Sequence, residues 1–380
     1  MKRLVLKLVM LALPFIAVFG LPAWYVATSG EAFRDDDRYV DEVVAGRDGL
    51  LYGLMLDESP YRYVKYRILQ ASAPADVLAL GSSRVLQFRR EMFTARFYNA
   101  GYMVKDIGEF RALLTALPKE KYPKVVIVGL DQWMFNRAWD DLRTVSAPYR
   151  APARPGPELL GSFSGKLLKF TETALQGRLD LSRAYGGSDL AIGLNARLYS
   201  SGFRNDGSMR YGIQVERLLN DDPAASDYRF SDTFERIGEG DGKFMPCGEI
   251  NAAALDALEA FLVFCRQHDV AVVSFLPPFA DSVYNRMRES GRYRGYEALP
   301  GALAQLVRKH GGEFYDFSQV ALAGSSDREV LDGFHGSEVV YQRVLISMLE
   351  RGSLLGRYAG AERLRQDLGR ARNRYSVYEQ

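Results

Sequence analysis

Three short runs made wholly or almost wholly of apolar residues constrain this chain most: Val77-Leu78-Ala79-Leu80, Val125-Val126-Ile127-Val128, and Ala271 to Leu276. None alternates polar with apolar positions, so a strand built from such a run has to be covered on both faces. Between them stand apolar residues at helical spacing: Ile107, Phe110, Leu113, Leu114 and Leu117, then Leu255, Leu258, Phe261, Leu262 and Cys265. Phe97-Tyr98-Asn99 and Phe314-Tyr315-Asp316-Phe317 read as shorter strands, Leu303 to Val307 as a helix, and Val340, Val344, Leu345, Met348 and Leu349 as a closing helix. This alternation predicts an α/β fold, a parallel sheet between layers of helices. Ligands of such sheets bind outside the carboxyl ends of the strands. That edge collects Gly81-Ser82-Ser83, Gly101, Gly129-Leu130-Asp131-Gln132 and Pro277.

At the N-terminus, Lys2, Arg3 and Lys7 precede an uncharged run from Leu8 to Ala27. As a helix rising ~1.5 Å per residue, the run reaches across the hydrocarbon core of a bilayer. No clear A-x-A cleavage site follows, so it is expected to remain as a transmembrane anchor that tolerates Pro14 and Pro22. The basic flank then puts the chain from about Glu31 onward on the outer, extracytoplasmic side of a bacterial inner membrane. That compartment is oxidising, and the chain has two cysteines, Cys247 and Cys265. With a helix starting near Asn251, Cys265 stands ~21 Å along its axis, whereas the loop from Cys247 reaches back only ~14 Å. Two buried thiols are therefore expected, not a bridge. A formal net charge of +2 gives no electrostatic case for nucleic acid. The few histidines and cysteines lack ligand spacing, so no metal site and no cofactor are expected.

The organisation expected from these patterns is residues 1–30 as basic flank and anchor, and 31–70 as a membrane-proximal linker running into a helix. Residues 71–136 and 251–352 form the two parts of the α/β core, and 353–380 a charged C-terminal helix. Residues 137–250 do not fit the alternation: they hold Pro152, Pro155 and Pro157, a helical pattern around Leu167 to Leu175, and a polar turn from Gly202 to Ser208. They read as a cap above the strand ends, or as a small separate domain.

The chemistry-bearing residues sit where the sheet delivers them. A serine hydroxyl needs a base to take its proton, and the base needs an acid to fix its tautomer. Ser83 follows a strand and a glycine, and Asp332-Gly333-Phe334-His335 offers carboxylate and imidazole from one loop. In this order and at these strand ends the blocks resemble the SGNH (GDSL-like) hydrolase superfamily, over about Asp76 to Asn136 and Asn251 to Leu349. The resemblance makes Ser83 the nucleophile, with Ser82 where the family usually has aspartate, His335 the base and then acid, and Asp332 its orienting carboxylate. Asn99-Ala100-Gly101 matches the second block, whose glycine N–H joins that of Ser83 as an oxyanion donor. Gly129-Leu130-Asp131-Gln132 stands where the family has Gly-x-Asn-Asp. An ionised Asp131 cannot donate, so Gln132 or Asn136 substitutes, or Asp131 binds an acceptor hydroxyl, or catalysis is weak or absent. Arg84, next to Ser83, joins the candidate substrate-binding residues. His268 and His310, at helix ends, are expected at the surface.

The resemblance further implies a flavodoxin-like three-layer α/β/α fold and acyl transfer through Ser83. Similarity to anchored proteins of polysaccharide O-acetylation and teichoic-acid modification implies an acetyl group, an acylated carbohydrate or other acyl donor, and an envelope polymer. A membrane-bound acyltransferase is the implied partner if the chain is a transferase. The alternative is a binding or assembly protein that keeps the fold without the chemistry.

Overall fold

The computed structural model describes residues 7, 10–14, 20–140, 142, 158–177, 179–180 and 190–378, with backbone only at 158–162. The chain divides into two compact units, one of Met1–Val64, Ala151–Asn205 and Met209–Ile213, the other of Lys65–Arg150, Asp206–Ser208 and Gln214–Gln380.

The second unit carries the expected parallel sheet. Its strands are β1 (Val77–Gly81), β2 (Phe97–Gly101), β3 (Val125–Gly129), β4 (Ala271–Leu276) and β5 (Glu313–Asp316). They lie in the order β2-β1-β3-β4-β5, each pair parallel. Every residue of β1, β2 and β3 is buried, as runs with no polar alternation require. The connecting helices include α1 (Gly108–Ala116), α2 (Ala252–Gln267), α3 (Asp281–Glu289), α4 (Arg294–Lys309) and α5 (Glu338–Glu350). Asn251 caps α2 by accepting the Ala253 N–H, and Leu258, Phe261, Leu262 and Cys265 are its buried stripe. Each such apolar side chain contributes about 1.5–3 kcal/mol. From β1 the chain first moves to one side, to β2, and then returns to the other side, to β3. That reversal opens a crevice beyond the carboxyl ends of β1 and β3.

The first unit is folded across the stretch expected as a linker. Leu51–Tyr52 pairs parallel with Ala191–Ile192 and antiparallel with Ser201–Phe203, which pairs in turn with Met209–Tyr211. Glu31 organises it: fully buried, its carboxylate accepts the N–H groups of Met55 at 2.6 Å, Leu56 at 3.2 Å and Leu194 at 2.8 Å. The helix Leu21–Thr28 packs on the helix Glu158–Leu175, with Val26 buried among Leu56, Phe170 and Leu194. The expected insertion is shared out: Ala151–Asn205 belongs to this unit, whereas Gln214 to Glu249 belongs to the α/β unit. The expected anchor, Leu8 to Ala27, lies partly outside the described residues. Among the described residues no helix is long and apolar enough to cross a membrane.

Cys247 and Cys265 are buried and unbridged. His310 departs from its expected surface position. Its side chain is 7% exposed, because α4 ends against α2 and brings Nε2 to 2.8 Å from Glu259 Oε1. His268 rests its ring beside Tyr122 and Phe264.

Candidate active site

The serine turn is seated by glycines. Ser82 opens a tight helical turn over Ser83–Val85 and accepts the Arg84 N–H through its hydroxyl at 3.2 Å. Val85, fully buried, fills the space left by three missing side chains at the strand ends. A Cβ on Gly129, Gly81 or Gly101 would stand 2.4, 2.9 or 2.8 Å from a Val85 methyl. Those glycines therefore let the serine turn sit down on β1, β2 and β3.

Across the crevice, the loop after β5 delivers the other two groups. Ser83 Oγ lies 2.9 Å from His335 Nε2, and His335 Nδ1 lies 2.7 Å from Asp332 Oδ2. The other Asp332 oxygen accepts the N–H groups of Phe334 at 2.9 Å and His335 at 2.7 Å. Burial alone would raise the Asp332 carboxyl, but the charge and hydrogen bonds of His335 and the two N–H groups hold it below its ordinary value. An ionised Asp332 only accepts, so the imidazole proton belongs on Nδ1, and Nε2 turns a lone pair to Ser83. The His335 and Asp332 side chains are 15% and 17% exposed, which leaves the constellation open to a ligand.

The expected oxyanion donors are engaged elsewhere. The Gly101 N–H donates to Asn99 Oδ1 at 2.8 Å, because the Asn99 side chain folds back to donate to Val85 O and Phe88 O. Gln132 donates to Pro277 O at 3.2 Å and accepts from Arg84 at 2.7 Å. Asn136 donates to Met245 O and Pro246 O. Asp131, fully buried, is the counter-ion of Arg84, with Nη1 at 3.3 Å from Oδ1. Arg84 is therefore not turned to substrate. Its Nη2 donates to Pro277 O at 2.7 Å, and its guanidinium lies 5.1 Å from the Trp133 ring and 4.4 Å from the Phe279 ring. It ties the residue after Ser83 to the ends of β3 and β4. Burial pushes the Asp131 carboxyl up from its ordinary value, against the pull of Arg84, Ser82 and Lys243.

Two charged groups that sequence patterns did not single out, Asp227 and Lys243, complete the surroundings with Gln214, all from Gln214 to Glu249. Asp227 Oδ2 accepts the Gly333 N–H at 2.9 Å, and Gln214 donates to Leu331 O at 2.8 Å, so this segment braces the His335 loop. Lys243 holds its ammonium 4.6 Å from the Phe334 ring and 5.0 Å from the Trp133 ring. Neither residue lies in a periodic or motif-bearing stretch, and the only available signal was an isolated charge in a polar segment.

No protein-family model matches the chain, and no curated protein sequence is significantly similar to it.

Proposed function

We propose that the α/β unit is a serine acyl-transfer catalyst. The observation that carries this reading is the chain Ser83 Oγ, His335 Nε2, His335 Nδ1, Asp332 Oδ2, with links of 2.9 and 2.7 Å at the carboxyl edge of the sheet. More particularly, we read the chain as a flavodoxin-like, SGNH-type acyl esterase or O-acyltransferase of the bacterial envelope, acting on an acetylated carbohydrate polymer. The strand order β2-β1-β3-β4-β5 supports the fold part of that reading. Leu21 and Trp24 on the helix Leu21–Thr28, and Leu168 and Leu175 on the helix packed against it, are all exposed apolar side chains. They support placement of the first unit at a membrane, with residues 8–27 read as its anchor in the inner membrane and the rest of the chain on the extracytoplasmic side. A membrane-bound acyltransferase that passes on the acyl group is the partner this reading assigns.

A second reading, a binding or assembly protein on the same fold, is favoured by one observation: the Gly101 N–H and Asp131 are both engaged internally. Full-length chain in mild detergent, incubated with p-nitrophenyl acetate and followed by intact-mass spectra, separates the two. The catalytic reading expects turnover or an acyl adduct that Ser83→Ala and His335→Ala abolish and Ser82→Ala retains. Each single loss should remove most of the rate, with the double variant hardly worse, because the residues act as a unit. Folded wild type with neither turnover nor adduct, on this ester and on acetylated oligosaccharides, favours the binding protein.

A further inference from the structure

A tetrahedral intermediate on Ser83 needs hydrogen-bond donors aimed at its oxygen. The Ser83 N–H qualifies, since the first amide of a helical turn has no partner within the turn. The other expected donors, on Gly101, Gln132 and Asn136, are engaged by protein acceptors. Arg84 is wholly buried and engaged by Asp131, Gln132 and Pro277.

One further donor lies beside the aromatic ring that neighbours His335. The Lys243 ammonium shares Phe334 as a neighbour with the imidazole, whose ring lies 4.3 Å from that of Phe334. Among the described residues it has no hydrogen-bond acceptor and no carboxylate at ion-pair distance, so its N–H groups remain free. Two aromatic faces hold it, and a cation so placed is stabilised by the ring electrons without giving up its donors.

We propose that Lys243 is a further catalytic residue, donating to the developing oxyanion in place of the side-chain amide that Asp131 displaces; this rests on the reading of Ser83 as nucleophile. As Ser83 Oγ bonds to the acyl carbon, its proton passes to His335 Nε2, and the carbonyl π pair moves onto oxygen, where Lys243 and the Ser83 N–H receive it. Collapse restores the carbonyl and expels the alcohol oxygen, which takes the proton from His335. Lys243 stays protonated throughout. The charged groups facing it are Asp131, Asp332, Arg84 and Arg236, and burial lowers its pKa from the ordinary lysine value, against the two carboxylates.

The test compares full-length wild type, Lys243→Met and Lys243→Arg for p-nitrophenyl acetate turnover and for the rate at which a fluorophosphonate modifies Ser83. The expected result for Lys243→Met is a fall of about a hundredfold in kcat with little change in KM, and slower modification, at an unchanged thermal midpoint. Lys243→Arg should restore part of the rate and remove the alkaline fall in kcat that lysine deprotonation gives the wild type. Equal rates in wild type and Lys243→Met would overturn this proposal and leave Ser83 as nucleophile. Absence of any reaction at Ser83 in wild type would overturn both.

Discussion

Asp131→Asn restores, on paper, the amide that an SGNH-type oxyanion site uses, yet the structure says it should harm the protein. Asp131 faces the Arg84 guanidinium at 3.3 Å with both side chains essentially unexposed. At that distance and an effective dielectric constant near 20, the attraction is about 5 kcal/mol. Its loss leaves a buried cation with only neutral acceptors and the more distant Asp332. Breaking one member of a buried pair destabilises by about 3–5 kcal/mol, and because an asparagine oxygen still accepts from Nη1, the lower end, about 3 kcal/mol, is expected. Urea unfolding followed by circular dichroism reads the stability, and ester turnover at low denaturant reads the site. The expected variant is less stable and no faster, since the Arg84 guanidinium ties the turn that carries Ser83 to the ends of β3 and β4. An Asp131→Asn protein as stable as wild type and more active would refute the account, and would show that position 131 can serve the oxyanion directly.

Three other outcomes follow from the packing and charges. Burial, then Glu109 and Asp140, raises Asp106 from 3.8 to about 6. The folded chain therefore holds a proton that the unfolded chain releases, and stability falls as pH rises from about 4 through about 6. Asp106→Asn should stabilise at neutral pH by about 1 kcal/mol, the carboxyl being part-solvated, and not at about pH 4; an equal gain at both would exclude this cause. Burial pushes the thiols of Cys247 and Cys265 up to about 11 and about 12, so iodoacetamide should modify neither in the native protein and both in denaturant, as mass spectra would record. Gly129→Ala would set a Cβ 2.4 Å from Val85 and should destabilise by about 1–3 kcal/mol with loss of turnover, partly relieved by Val85→Ala in the same chain; a neutral Gly129→Ala would argue against the glycine seat.

The sheet was legible because β1, β3 and β4 are continuous apolar runs, a pattern that only double-sided burial produces. The Ser83, His335 and Asp332 grouping was legible because two short local blocks carry it, one directly after a strand and the other just before the closing helix. The oxyanion side was not. Glycine 101 was read as a donor from its place after a strand, but its N–H is taken by a side chain two residues earlier, and nothing in the spacing announces that. The Arg84–Asp131 pair joins residues 47 apart, so the conversion of Asp131 from donor position to counter-ion is a tertiary event. The stretch expected as a linker running into a helix does end in the helix Pro60–Ala71, but its polar start hid a tertiary role for the same reason. Glu31 is held by backbone groups 24, 25 and 163 positions away. Lys243 and Asp227 lie where no period or motif points.

The hydrogen bond from Ser83 to His335 spans 252 residues. At translation speeds of roughly 5–20 residues per second, the serine is made roughly ten to fifty seconds before the histidine. β3 waits likewise for β4, which lies beyond the entire intervening segment, and such long-range parallel pairing forms late. A nascent chain thus carries Ser83 without its histidine, and a chain cut short anywhere before the Asp332–His335 loop never forms the pair. The Ser83–His335 hydrogen bond becomes a certificate that the segment carrying His335 has arrived and docked.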